Sequence, residues 1–176
     1  MFFQETKFKG LILIDLDLKL DSRGFFARTF CEQEFSQAGL PTRFTQSSLS
    51  CNTTRGIIRG MHFQLSPKTE GKIVRCLKGT IYDVALDLRP DSPTFCQWLS
   101  FELSASNRRG LYLPPGFAHG FQNLTDQTEV SYQMTESYDL ALNTGVRWND
   151  PAFKIQWPIP NPILSSKDSA FPDFVL

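Results

Sequence analysis

The sequence predicts an all-β fold: a double-sheet barrel or jelly roll with few short helices, as one domain over residues 1–176. Three observations predict it. Short runs rich in β-branched, aromatic and aliphatic residues recur along the chain, and eleven Gly and eleven Pro punctuate them. One glycine-turn hairpin is explicit in the pattern. No internal repeat, linker or low-complexity tract interrupts the series. In order, residues 11–18 form an apolar run that becomes alternating at its end. Residues 32–38 read as a short helix closed by Gly39 and Pro41. Residues 72–77 lead through Lys78-Gly79-Thr80 into a second strand at 81–88. Further strands are expected at 95–102, 110–113, 120–124 and 129–134. The segment from Trp148 on, rich in Pro and Trp, is expected to wrap the barrel as irregular chain.

Composition narrows the class of function. Eighteen basic and eighteen acidic residues give a formal net charge of zero, which argues against nucleic acid or an anionic membrane as partner. No apolar run approaches a membrane span. The opening Met1-Phe2-Phe3-Gln4-Glu5-Thr6-Lys7 lacks a signal-peptide pattern, so a cytoplasmic protein is expected. Cys31, Cys51, Cys76 and Cys96 are widely spaced without a C-x-x-C pair, which favours reduced, inert thiols.

The chain has only two histidines, each in its own motif. His62 lies in Arg59-Gly60-Met61-His62-Phe63-Gln64. His119 lies in Pro114-Pro115-Gly116-Phe117-Ala118-His119-Gly120-Phe121-Gln122-Asn123. The second has the P-x-G-x-x-H-x-x-x-N spacing of a cupin hairpin. The first resembles the cupin H-x-H motif with Gln64 in place of its second histidine. A transition-metal centre of that kind needs about three imidazoles and a carboxylate. This chain has too few, so no cofactor or metal is expected, and a metal cupin such as a dioxygenase is disfavoured. His62 is then available for proton transfer. A hydrogen-bonded core histidine is the commoner role, but a polar cluster inside a small barrel costs stability unless a ligand or a network satisfies it.

Other residues carry weaker signals. Lys72 is either a solvated cation at a strand edge or a fixed charge for an oxyanion. Arg23 and Arg59 each precede glycine, which suits a forked contact to phosphate. Tyr132 shares a face with Val130 and Met134, so packing competes with proton donation. His119 either binds ligand or braces its hairpin. Tyr138, in a loop, could stack on a base. Asp168 reads alone as a surface acid. Tyr82, Val84, Leu86 and Leu88 share one side of their strand; Asp83 shares the other and is either in solvent or aimed into a polar cavity.

Together these pieces resemble the dTDP-4-dehydrorhamnose 3,5-epimerase family of deoxysugar biosynthesis. The motifs are Arg23-Gly24-Phe25-Phe26, residues 56–64, Lys72-Ile73-Val74-Arg75-Cys76, residues 79–84, residues 113–121, Trp148-Asn149-Asp150-Pro151 and Leu164-Ser165-Ser166-Lys167-Asp168. The resemblance implies a metal-free, cupin-like double-sheet barrel acting as a homodimer, with N-terminal strand residues reaching into the partner's site. It implies a nucleotide-diphosphate-linked 4-keto-6-deoxyhexose as substrate and epimerisation at C3, C5 or both through an enolate. His62 matches the family's base, Asp168 the carboxylate that orients it, Lys72 the cation near O4, and Tyr132 the acid. Arg23, Phe26, Gln46, Ser47, Ser48, Arg59, His119 and Lys167 match ligand contacts, and Tyr138 matches the aromatic that stacks on thymine. Three departures bear on specificity: Ser47-Ser48 stand where Asp-Asn is common, and Arg28 and Asn143 where Glu is common. A C3-only epimerase, a different nucleotide sugar and a non-catalytic sugar-nucleotide-binding barrel are the alternatives.

Overall fold

The structure is a computed structural model that describes residues 1–175. Its strands are β1 (Phe2–Glu5), β2 (Ile12–Asp15), β3 (Lys19–Asp21) and β4 (Gly24–Phe26), then helix α1 (Glu32–Gln37), then β5 (Gln46–Asn52), β6 (Ile58–Gln64), β7 (Lys72–Lys78), β8 (Thr80–Asp87), β9 (Trp98–Ser104), β10 (Gly110–Leu113), β11 (Phe117–Asn123), β12 (Thr128–Met134) and β13 (Asn143–Gly145), and last helix α2 (Ser166–Ser169). A six-stranded sheet runs β1-β2-β10-β7-β12-β5 and a five-stranded sheet runs β13-β6-β11-β8-β9, while β3 and β4 make a separate hairpin. The expected all-β double-sheet barrel is therefore what forms.

Period-2 alternation explains the layers. Val74, Cys76, Ile81, Ala85, Leu111, Leu113, Phe117, Phe121 and Val130 meet between the sheets. The opposite face of β8 is not solvated. Val84 and Leu86, with Met61 and Ala118, are covered by Val146, Phe153 and Ile155 from the chain after β13. That is why β8 carries apolar residues on both of its faces. On the outside of the six-stranded sheet, Ile12, Ile14, Ile73 and Tyr112 pack against Phe35 of α1 and Leu40. Phe35 sits among Phe3, Phe30 and Phe44, with ring centroids 4.9–6.3 Å away.

Several expected boundaries move, for identifiable reasons. The strand expected at 11–18 keeps only Ile12–Asp15, where β1 and β10 pair with it. The strand expected at 95–102 begins at Trp98, because the preceding residues fold back onto Asp87. Arg89, Ser92 and Thr94 all donate to that buried carboxylate, at 2.6–2.8 Å. The strand expected at 120–124 is longer, Phe117–Asn123. The helix expected at 32–38 ends at Gln37, with Ala38 as its cap and Gly39 at a φ of +70°. Asp83 is not in solvent: it is 0% exposed and faces inward with Ile81 and Ala85. The segment from Trp148 does wrap the barrel, but α2 interrupts it and carries Asp168 inward.

Candidate active site

Between the sheets lies a cavity of about 340 Å³. The five-stranded sheet contributes Arg59, His62 and His119. The six-stranded sheet contributes Gln46, Ser48, Ser50, Lys72 and Tyr132. Asn143, on the edge strand β13, joins the five-stranded wall, and loops and the late segment add Glu70, Tyr138 and Lys167.

Glycines at the strand crossing set the geometry. Arg59 and His62 are three positions apart, so a regular strand would aim them to opposite faces. Both line the cavity because β6 is irregular between them. Gly60 has a φ of +141°, a conformation that L side chains rarely adopt, and a Cβ there would collide with the backbone of Gly120. A register shift on β11 between His119 and Phe121 matches it. His119 and His62 thereby become cross-strand partners.

Each imidazole is held by a buried carboxylate. His62 Nε2 lies 2.6 Å from Asp168 Oδ1. Asp168 is 3% exposed and also accepts the Gly60 N–H at 3.3 Å. Its position comes from α2, where the Asp168 N–H donates to the N-cap Ser165 at 3.0 Å. Burial pushes the Asp168 carboxyl upward, but the hydrogen bond and charge of His62, with the Gly60 N–H, outweigh it and hold the group below its ordinary value. An ionised carboxylate only accepts, so the His62 Nε2–H donates to it, and in the neutral imidazole the lone pair then lies on Nδ1. His119 Nε2 pairs likewise with Asp83 Oδ2, at 2.8 Å.

On the other wall, Tyr132 Oη lies 3.1 Å from Ser50 Oγ. Burial pushes this phenol well above its usual range despite the Ser50 hydrogen bond, so it holds its proton at neutral pH. The solvated reading of Lys72 is overturned: it is 7% exposed, on a strand with neighbours on both sides, and its Nζ pairs with Glu70 Oε1 at 2.6 Å. The Arg59 Nε–H donates to Asn52 Oδ1, and Lys167 Nζ donates to Asn143 Oδ1. The exposed Tyr138 is fixed through its backbone N–H, which donates to Gln46 Oε1 at 2.9 Å.

Nine of the residues anticipated from sequence line the cavity: Gln46, Ser48, Arg59, His62, Lys72, His119, Tyr132, Tyr138 and Lys167. Asp168, which reads alone as a surface acid, is buried behind His62. Three further anticipated residues lie away from it. Ser47 alternates to the outer face of β5. Arg23 and Phe26 stand on the β3–β4 hairpin, where Arg23 pairs with Asp21 at 2.6 Å and Phe26 is 73% exposed. Arg28 pairs with Glu34 at 2.8 Å, also away from the cavity. Sequence reasoning missed Glu70, although its even spacing from Lys72 was a usable signal. It also missed the work of Gln64. This buried amide donates to the carbonyls of Lys68 and Ser137 and accepts the Asp139 N–H at 2.7 Å, which ties together the two loops bearing Glu70 and Tyr138. The position where a cupin would place a second histidine is thus a loop clamp. Among the described residues no three His, Cys, Asp or Glu side chains group as a metal-binding set.

Comparisons with known proteins identify the family. A family model described as dTDP-4-dehydrorhamnose 3,5-epimerase matches residues 5–175. The Shigella flexneri dTDP-4-dehydrorhamnose 3,5-epimerase is 41% identical over 165 residues, covering 93% of this chain and 91% of its own. The crystal structure of the Bacillus anthracis enzyme of that name, with TDP and PPi bound, superposes with a TM-score of 0.95 at 42% identity over 98% of both chains. The Legionella pneumophila 3,5-epimerase in complex with dTDP-4-keto-L-rhamnose gives 0.90 at 36% identity, over 96% of this chain and 90% of that one. With the whole barrel matched and the paired histidines in place, the chain belongs to the dTDP-4-dehydrorhamnose 3,5-epimerase family of cupin-like isomerases.

Proposed function

We propose that this chain epimerises a nucleotide-diphosphate-linked 4-keto-6-deoxyhexose at C3 and C5, without a metal, and that it does so in the cytoplasm as a single-domain protomer of a homodimer. The observation that carries the reading is the placement of His62 and Tyr132 on opposite sheets across one cavity. Inversion needs a base on one face of the sugar ring and an acid on the other.

The 4-keto group acidifies the hydrogens on C3 and C5. His62 Nδ1 removes one as a proton, and Asp168 stabilises the imidazolium that forms. The electron pair moves onto O4, where the Lys72 ammonium meets the growing charge. Tyr132 gives its phenolic proton to the carbon from the opposite face, and solvent restores both groups. Arg59 and Lys167 supply cationic contacts for the diphosphate, Gln46, Ser48 and His119 position the sugar nucleotide, and Tyr138 stacks on the base.

Arg23 and Phe26 lie on a hairpin whose residues are all exposed. Leu20, Phe25 and Phe26 give this hairpin an apolar surface that a monomer leaves in water. We place the hairpin over the partner's cavity, where Arg23, Phe26 and Ser47 meet the ligand or the interface.

A panel of 4-keto-6-deoxyhexoses on thymidine, uridine and guanosine diphosphate, incubated in deuterated buffer and followed by NMR, tests the assignment. Deuterium at C3 and C5 with inversion is the expected result. Deuterium at C3 alone would mean a 3-epimerase, and binding without exchange would mean a non-catalytic barrel.

A further inference from the structure

Glu70 is the only carboxylate among the described residues that line the cavity, which also presents Arg59, Lys72 and Lys167. Its side chain is 10% exposed, and its partner is the equally enclosed Lys72 ammonium at 2.6 Å. The backbone beside it is pinned: the Gly71 N–H donates to Thr135 Oγ1 at 2.8 Å, and the Thr135 N–H donates to the Gly71 carbonyl at 2.9 Å. Glu70 is therefore a fixed feature of the wall.

We propose that Glu70 determines specificity for a hydroxyl on C3 of the sugar. The inference rests on the reading above, in which Lys72 lies at O4. A cation that grips O4 brings its own counter-carboxylate against the substituents flanking C4. On one flank, C5 carries the ring oxygen and a methyl group, and neither donates a hydrogen bond. On the other, C3 carries a hydroxyl. An ionised carboxylate can only accept, so the C3 hydroxyl is the group that satisfies Glu70 when the ligand displaces water. A sugar without that hydroxyl leaves a desolvated carboxylate short of a donor, and sites built around such a bond reject the ligand that lacks it.

The test compares two probes, thymidine-diphosphate-linked 4-keto-6-deoxyglucose and its 3-deoxy counterpart. Both carry hydrogen on C5, so kcat/KM for deuterium entry at C5 is read for each. The wild type is expected to prefer the hydroxylated sugar by about tenfold or more, the worth of a hydrogen bond to a charged group. Glu70→Ala should reduce that ratio to within about threefold, and Glu70→Gln, a neutral acceptor of the same shape, should fall between. Thymidine diphosphate binding, measured by calorimetry, verifies that each variant is folded. If Glu70→Ala does not fold, the Glu70→Gln ratio decides. A ratio unchanged by substitution, or a wild type without preference, overturns the role of Glu70 while leaving the epimerase reading intact. A wild type that exchanges neither probe overturns both.

Discussion

His62 and His119 face each other across β6 and β11, and each gives its Nε2 to a different buried carboxylate. The two pairs differ in origin. Asp83 sits on a central strand beside His119, whereas Asp168 is 106 positions from His62 in sequence and arrives on α2. The arrangement predicts distinct roles. His62→Ala should abolish deuterium exchange at C3 and C5 while thymidine diphosphate still binds. Asp168→Asn should cut exchange by about a hundredfold, within the range for positioned proton transfer. Exchange at the wild-type rate in His62→Ala would place the base elsewhere.

Tyr132→Phe should separate the two halves of the reaction. In the proposed reaction His62 removes the proton, so deuterium should still wash into the starting sugar while formation of the epimer slows by about tenfold or more. The variant also loses the contact with Ser50, at a cost of about 1 kcal/mol in stability. Equal losses in exchange and epimerisation would show that Tyr132 only packs.

Asp87 gives a pH prediction that is independent of catalysis. Burial pushes its carboxyl up, but hydrogen bonds from Arg89, Ser92 and Thr94 bring it down to about 2 from an ordinary 3.8. A depressed folded-state value means that the ionised form favours the native state. Its contribution is complete above about pH 4 and is lost as pH falls toward 2. Asp87→Asn should lower Tm at pH 7 and flatten the decline in Tm between pH 4 and 2, as read by calorimetry across that range. An unchanged slope would assign acid sensitivity to other carboxyls.

Gly60→Ala tests the strand crossing. The added methyl meets the Gly120 backbone and must also accept a φ of +141°. A loss of roughly 3 kcal/mol or more is expected, along with loss of exchange, since Arg59 and His62 can no longer share a face. An alanine variant with wild-type melting and exchange would show that the close approach is dispensable.

The proposed placement of the hairpin over a partner's cavity predicts complementation between subunits. Arg23→Ala and His62→Ala should each be impaired as pure dimers. Mixed dimers of the two carry one cavity with both residues intact, so activity should return on co-refolding. Failure to recover activity, with dimers present by ultracentrifugation, would return Arg23 to its own protomer.

Much of the barrel is legible in the sequence because alternation, apolar runs and glycine turns are local signals. The hairpin through Gly79, the short helix at Glu32 and the inward set Val130, Tyr132 and Met134 all follow from it. What escapes has a physical reason. Strand β5, Gln-Ser-Ser-Leu-Ser-Cys-Asn, is a polar edge strand whose inner residues line a cavity, so it carries no hydrophobic alternation. Asp83 was ambiguous because its burial depends on a partner, His119, from another strand. Asp168 in isolation is an acid in a polar helix; only its pairing with His62, after β13, buries it. The candidate site residues are read largely from motif resemblance. Glu70 belongs to no such motif and was passed over, although its charge faces Lys72.

The imidazole at 62 belongs to the sixth strand, yet the carboxylate that pairs with it is delivered by a short helix that follows every strand of both sheets. During synthesis both walls of the barrel can therefore pair before His62 meets Asp168. The order of elements makes that meeting a late event, reserved for molecules whose closing segment has already been laid across the outside of the five-stranded layer.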